Sequence, residues 1–180
     1  MRSSIERKTG FTLIELLVVM AIIGILSAVV LTSLNGARQK GRDARRISDV
    51  KQLQLSLELY YDSTGAYPAT IGTQSSSVLV TNGYIASLPI DPSNNAVYSY
   101  VPYAQTATTP AICSGYHIGA DLESGITHTV LQTDADFTPA LAAAQGLGVC
   151  NISSNTDFSG VDSAKCLSSD IGSACYDVRS

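Results

Sequence analysis

The strongest constraint on the fold of this chain is an uncharged apolar run close to its amino terminus. Residues 16–34 contain no charged side chain. The hydrocarbon core of a bilayer is about 30 Å thick, and a helix of about 20 residues crosses it. The run therefore predicts a helix over residues 11–34 that lies in lipid or in another water-free environment. One carboxylate, Glu15, lies near the start of this segment.

The run alone leaves several interpretations open. A simple signal anchor tolerates an acid near the headgroups, where a charge costs less than at the helix centre. A secretory signal peptide would also follow basic residues such as Arg2, Arg7 and Lys8. However, its apolar part would span only about 7–15 residues and end at a small-x-small cleavage site. Ala28 and Ser33 are weak candidates for such a site.

A more specific interpretation rests on the stretch KTGFTLIELLVVMAIIGIL, which begins at Lys8. It resembles the processing signal of the type IV pilins and type II secretion pseudopilins. That resemblance implies that a prepilin peptidase cleaves between Gly10 and Phe11 and methylates the new amino terminus of Phe11. Removal of residues 1–10 would leave a mature chain that begins with the apolar helix.

The resemblance also implies a role for Glu15. Cleavage leaves a free α-amine on Phe11, and such amines have a typical pKa of about 7.7–8.0. An ammonium and a carboxylate are each costly to bury alone, but they compensate one another when they are buried together. In the resembled family this acid meets the terminal amine of a neighbouring subunit and sets the register of assembly, as buried polar residues do in coiled coils.

An α+β, pilin-like fold follows from the same resemblance. A long amino-terminal helix would pack on a small antiparallel β-sheet head with a loop-rich, disulfide-linked carboxy-terminal region. The expected boundaries are a cleaved leader at 1–10, a transmembrane or filament-core helix at 11–34, its amphipathic continuation at 35–62 and a β-rich head at 63–180. In the continuation, apolar residues recur at steps of three and four, which predicts one buried helix face: Ile47, Val50, Leu53, Leu57, Tyr60 and Tyr61.

Within the head, apolar alternation predicts strands at 97–103, 112–122 and 127–131, and a short helix at 77–84. Residues 134–180 show little periodicity and predict loops. The stretch LPIDP, residues 88–92, resembles a loop that precedes the first strand in major pseudopilins. Ser93 and Asn94 replace the Trp-Gly that usually follows it, so pilus and pseudopilus both remain open.

Charge and cysteine content divide the chain. Nine basic and six acidic residues precede Ser63, and two basic and nine acidic residues follow from it. A head of this charge repels a phosphate backbone, so nucleic acid is not an expected partner of the head.

Two disulfides in an exported domain account for the cysteines, and all three pairings are open. The cysteines are Cys113, Cys150, Cys166 and Cys175.

A basic cluster follows the apolar run, formed by Arg38, Lys40, Arg42, Arg45 and Arg46. It predicts a solvated helix face, or a face that meets acidic groups on neighbouring subunits; DNA binding by the cluster is not distinguished from these. The positive-inside rule would place the cluster in the cytoplasm. The processing signal and the cysteines favour an exported head instead.

Catalytic and metal signals are weak. The chain has no P-loop, G-x-S-x-G or H-E-x-x-H motif, so an enzyme is not expected. His117 and His128 lie on predicted strands, and the sequence NIS at 151–153 fits a glycosylation sequon. Calcium would need six to eight oxygen ligands, and an EF-hand spacing is absent. The acids that could approach one another are Asp121, Glu123, Asp134 and Asp136.

The sequence thus predicts a structural subunit of a type IV pilus or a type II secretion-like pseudopilus. The implied partners are other copies, related pilins, the prepilin peptidase and an inner-membrane assembly platform. The precursor would cross the inner membrane once with its head exported, and assembly would give a cell-surface or periplasmic filament. The alternative is a membrane-anchored binding module or adhesin that does not polymerise.

Overall fold

The computed structural model describes residues 11–105, 112–125, 129–150, 166 and 174–180. Its first element is a single long helix, α1, at Leu13–Thr64. The prediction of a helix that continues beyond the apolar run is confirmed. The helix ends at Gly65, which has a φ of 75° and donates its N–H to the carbonyl of Tyr61 at 2.7 Å. Glycine adopts this left-handed conformation without a Cβ clash and so terminates the helix.

Internal contacts group the chain into two units, Met1–Arg38 and Gln39–Ser180. The amino-terminal unit contains the apolar half of α1. Among the residues that the structure describes, no helix combines the length and the apolar character required to cross a membrane.

A four-stranded antiparallel sheet forms the centre of the second unit. The strands are β1 (Ser99–Gln105), β2 (Gly115–Leu122), β3 (Leu147–Val149) and β4 (Ala174–Arg179). Their spatial order is β3-β1-β2-β4, and β1 pairs with β2 so that Val101 faces His117 across the strands. The carboxy-terminal strand closes one edge, with Val178 opposite Ile118.

The carboxy-terminal half of α1 packs against this sheet. Val50, Leu53 and Leu57 are fully buried, in one core cluster with Ile118 of β2. These helix residues share a face because they recur at steps of three and four. The predicted stripe is therefore confirmed, although Tyr61 at its end is partly exposed and stacks on another tyrosine.

The strand predicted at 127–131 is wrong. Residues 126–128, and with them His128, lie outside the described part of the chain, and Thr129–Thr133 form a 3₁₀ helix. Only Leu131 of that helix is buried. The apolar residues of this segment therefore do not line one face of a strand; a single leucine packs into the core. The short helix expected near residue 80 is present as α2, Val78–Thr81.

The region from residue 134 is held by a disulfide, as predicted, and it also contains regular elements that the sequence did not predict. The helix α3 (Pro139–Ala144), β3 and β4 all lie there. The signal of β4 is hidden because Asp177, a charged residue, is fully buried in the middle of the strand. The sequon at 151–153 lies outside the described residues.

Two disulfides connect the four cysteines. Cys113 bonds to Cys150, 37 residues along the chain, and Cys166 bonds to Cys175 after nine residues. The prediction of two disulfides is confirmed, and the pairing that the sequence left open is resolved. Each bond restricts the unfolded chain by closing a loop.

Candidate functional site

The amino-terminal half of α1 exposes its apolar side chains on all sides. Phe11 is 88% exposed and Leu13 80% exposed. A helix that is apolar all round is normally covered by lipid or by protein. This surface therefore requires partners. Its exposed members include Ile14, Leu16, Leu17, Val18, Val19, Met20, Ile22, Ile23, Ile25, Leu26, Val30 and Leu34.

Glu15 lies at the start of this surface and caps its own helix. Its carboxylate accepts hydrogen bonds from the Thr12 N–H at 2.8 Å and from Thr12 Oγ1 at 2.6 Å, and its own N–H donates to Thr12 Oγ1. This is a capping box, a signal that the spacing of Thr12 and Glu15 carries in the sequence. A carboxylate has about four acceptor positions, so it can bind a further cation. Gly10 lies outside the described residues, and cleavage and methylation at Phe11 stay predictions.

A second feature, in the head unit, is a buried cluster of charges around Arg46. This side chain is 1% exposed. It donates to Asp43 at 2.7 Å, to Asp91 at 2.5 Å and to Glu123 at 2.7 Å, with a further bond to Ser93. A buried guanidinium is tolerated because carboxylates compensate its charge and accept its hydrogen bonds.

The prediction of a solvated basic face is therefore wrong for Arg46. It lies four residues before Val50, on the helix face that packs against the sheet. Arg42 also turns to the head and forms a bidentate pair with Glu123. Arg45, on the other side of the helix, stays mostly exposed, as predicted.

Asp43 extends the cluster to the end of β2. Its carboxylate accepts the N–H of Glu123 at 2.9 Å and that of Ser124 at 2.8 Å. The turn after residue 90 joins the Arg46 cluster through Asp91, whose carboxylate also accepts the N–H of Ser93 at 2.7 Å. Two segments distant in sequence, the turn at Asp91 and the end of β2 at Glu123, thus meet the Arg46 side chain of α1.

Hydrogen bonds within the cluster favour the charged forms of Glu123, Asp91 and Arg46. Hydrogen bonding from Arg42 lowers the pKa of Glu123 to about 2. Burial opposes ionisation of Asp91, but hydrogen bonds from Arg46 and the Ser93 N–H outweigh it and lower the pKa. Burial likewise opposes the charge of Arg46, yet its bonds to Asp91 and Glu123 raise its pKa.

These shifts predict an acid-sensitive head. The folded pKa of Glu123 lies below its ordinary value of 4.5, so the stabilisation is fully present above pH 4.5 and is lost as pH falls toward about 2. We expect about 2 kcal/mol to be lost across this window, measured by chemical denaturation at several pH values. Glu123→Gln should flatten the dependence, whereas Asp62→Asn, at an exposed position, should not. An unchanged pH profile in Glu123→Gln would contradict the assignment.

The four acids considered for calcium do not converge. Glu123 belongs to the Arg46 cluster, while Asp121 accepts the N–H of Cys166 at 3.0 Å. Within the described ranges, no group of three or more His, Cys, Asp or Glu side chains is placed to hold a metal ion. His117 is buried and pairs with Asp177 at 2.7 Å, a contact that joins β2 to β4.

Comparison with known proteins finds one matching family model and several similar proteins. The family described as the prokaryotic N-terminal methylation motif matches residues 6–31. The chain is similar to type II secretion system core protein G of Vibrio cholerae, with 32% identity over 132 residues, which covers 67% of this chain and 86% of the relative. The protein of the same name from Pseudomonas aeruginosa is 31% identical over 134 residues, 67% of this chain and 89% of the relative. That from Escherichia coli K12 is 35% identical over 101 residues, 50% of this chain and 70% of the relative.

Proposed function

The chain belongs to the family of type II secretion system core protein G, and from this premise we propose that it is a structural subunit of a pseudopilus, a helical filament of related pilin-like chains. The observation that carries the proposal is the exposed apolar surface on the amino-terminal half of α1. Burial of such surface stabilises association by about 25 cal/mol per Å². Packing against the same helix of other copies would cover it, and Gly24 permits close approach of a neighbouring helix.

The family favours the secretion pseudopilus over the type IV pilus, two assignments that the sequence motif alone did not separate. It does not favour the membrane-anchored binding module that does not polymerise. We do not propose an enzymatic role, because the members of this family are structural subunits.

We also propose that the precursor is processed at its amino terminus. A prepilin peptidase would cut between Gly10 and Phe11 and methylate the amine of Phe11. The match of the methylation motif to residues 6–31 supports this step. The Glu15 carboxylate would then meet the amine of a neighbouring copy and set the axial register. Support comes from its exposed position beside Thr12 and from its remaining acceptor capacity.

We further propose that the precursor waits in the inner membrane, with its head exported, until an assembly platform transfers it to a periplasmic filament. The uncharged stretch of residues 16–34 supports the membrane step. The two disulfides support export, because disulfides persist in oxidising compartments.

Electron microscopy tests the function most directly. Cells that carry the secretion machinery and overproduce the chain should form fibres that are absent when the chain is deleted. The purified protein should have the intact mass of residues 11–180 plus one methyl group. An uncut chain that stays dispersed would support the non-polymerising anchor instead.

Replacement of Gly10 by valine is expected to block processing, since the peptidase motif requires glycine before the cut. The intact mass should retain residues 1–10, and filaments should be absent. Thr9→Val is the matched control, because it introduces the same side chain one residue earlier and should be processed normally. A mature amino terminus at Phe11 in Gly10→Val would rule out this cleavage site.

A further inference from the structure

Two buried carboxyl groups lie on the face of the sheet that is turned away from α1: Asp121 of β2 and Asp177 of β4. Their strand neighbours Leu122 and Tyr176 belong to the core cluster that contains the buried residues of α1. Because side chains alternate between the two faces of a strand, the acids point to the opposite side. A buried carboxyl group is costly unless it accepts hydrogen bonds, so its donors indicate what it holds in place.

Both acids accept backbone N–H groups of the carboxy-terminal region. Asp177 accepts those of Asp136 and Phe137, at 3.0 and 2.9 Å. Asp121 accepts the N–H of Cys166 on its Oδ1 atom at 3.0 Å, in a buried hydrogen bond across 45 positions of sequence. Asp121 therefore fixes the backbone of one cysteine against the sheet.

The register of the sheet brings a second cysteine to the same place. β2 pairs with β4 so that Cys175 lies directly opposite Asp121. The Cβ atoms of directly opposite residues in an antiparallel pair are about 4.5–5.5 Å apart. One carboxyl group thus holds the backbone of Cys166 beside Cys175, and these two cysteines form a disulfide.

Distance along the chain does not by itself select this disulfide. Cys166 is nine residues from Cys175 and 16 residues from Cys150. The entropy of loop closure changes slowly with loop length and favours the shorter loop by only about two- to threefold. In the folded head, however, Cys150 packs against the core cluster of α1, whereas Cys166 and Cys175 belong to the other cluster. A tertiary contact is needed to make that choice.

We propose that Asp121 is a positioning residue for oxidative folding, which directs Cys166 to Cys175 and away from Cys150. The oxidant is a thiol oxidant that carries a disulfide. The thiolate of one cysteine attacks a sulfur of this disulfide and expels one thiol, and the second cysteine then attacks the protein sulfur of the mixed disulfide and expels the other. Two electrons pass to the oxidant, whose sulfurs leave as two thiols with the protons of the two cysteines.

Refolding in a glutathione buffer tests this role. The purified chain is reduced and unfolded in detergent and denaturant, refolded with reduced and oxidised glutathione, and its disulfides are mapped by mass spectrometry. Asp121→Ala should raise the ratio of the Cys150–Cys166 bond to the Cys166–Cys175 bond about tenfold, a change on the order of one lost buried hydrogen bond. An unchanged ratio in Asp121→Ala would overturn the inference.

Two further variants separate positioning from a general loss of stability. Asp121→Asn keeps an oxygen that can accept the N–H of Cys166, so the ratio should stay within about twofold of the wild-type value. Leu122→Ala removes a fully buried side chain on the other face of β2. It should slow both native bonds and leave the ratio unchanged. A ratio as high in either variant as in Asp121→Ala would contradict positioning by the Asp121 oxygen.

The effective concentration of the two thiols gives a measurement that does not depend on mispairing. Replacement of Cys113 and Cys150 by alanine leaves only Cys166 and Cys175. Equilibration with glutathione then reports the effective concentration of one thiol at the other. Asp121→Ala should lower this value about tenfold in the same background. Equal values with and without Asp121 would show that it does not bring the two cysteines together.

The pairing role and the filament function fail separately. Refolding is measured on dispersed protein, so a negative result there leaves the pseudopilus proposal intact. Absence of fibres from cells with the wild-type chain would contradict the pseudopilus and leave the role of Asp121 unaffected.

Discussion

Arg46→Met is expected to destabilise the folded head by about 3–5 kcal/mol, because it leaves uncompensated buried charge. The arginine is 1% exposed and donates to Asp43, Asp91 and Glu123. Methionine has a similar length but supplies no cation and no donor. Three carboxylates would then remain close together, and like charges in a poorly solvated site repel strongly.

Denaturant unfolding of the processed chain in detergent, followed by tyrosine fluorescence, measures this loss. Arg45→Met is the control, since Arg45 lies on the same helix turn, is 60% exposed and only approaches Asp49 at 3.7 Å. It should change stability by less than about 1 kcal/mol. The destabilisation of Arg46→Met should shrink at acid pH, as the carboxylates take up protons. Equal stabilities of the two variants at neutral pH would contradict a central role for Arg46.

The same residue shows where sequence reasoning ends. The helix and its buried face follow from local periodicity, because the positions of Val50, Leu53 and Leu57 are determined by helix geometry. The burial of Arg46 depends on Asp91 and Glu123, 45 and 77 residues away. A run of basic residues predicts a solvent-exposed helix face, because the sequence does not show which distant acids contact it. The i, i+3 spacing of Asp43 and Arg46 was the only local signal.

Strand β4 was missed for a related reason. Asp177 interrupts its apolar pattern, yet it is fully buried, where it pairs with His117 and accepts the N–H groups of Asp136 and Phe137. A carboxylate can be buried without a large free-energy cost only when its oxygens accept hydrogen bonds, and the donors here are distant in sequence. At the amino-terminal site, by contrast, Phe11 and Glu15 lie four positions apart in one short motif, so their assembly roles can be predicted without any tertiary information.

Glu15→Val is expected to abolish filament assembly, with a yield at least about a hundredfold lower, while leaving cleavage intact. In the assembled stalk, the amine of Phe11 from a neighbouring copy would lose its counter-charge in an apolar environment. The intact mass should still correspond to residues 11–180 with one methyl group. Fibre yield by electron microscopy and sedimentation would report the assembly defect.

The capping box provides a competing explanation for such a defect, because valine also removes the hydrogen bonds of Glu15 to Thr12. Glu15→Gln separates the two. Glutamine can accept the same hydrogen bonds and cap the helix, but it has no charge to offer an ammonium. If the interchain ion pair governs assembly, Glu15→Gln should fail nearly as severely as Glu15→Val. Normal fibres from Glu15→Gln would assign the effect to the helix cap and would remove the register role from Glu15.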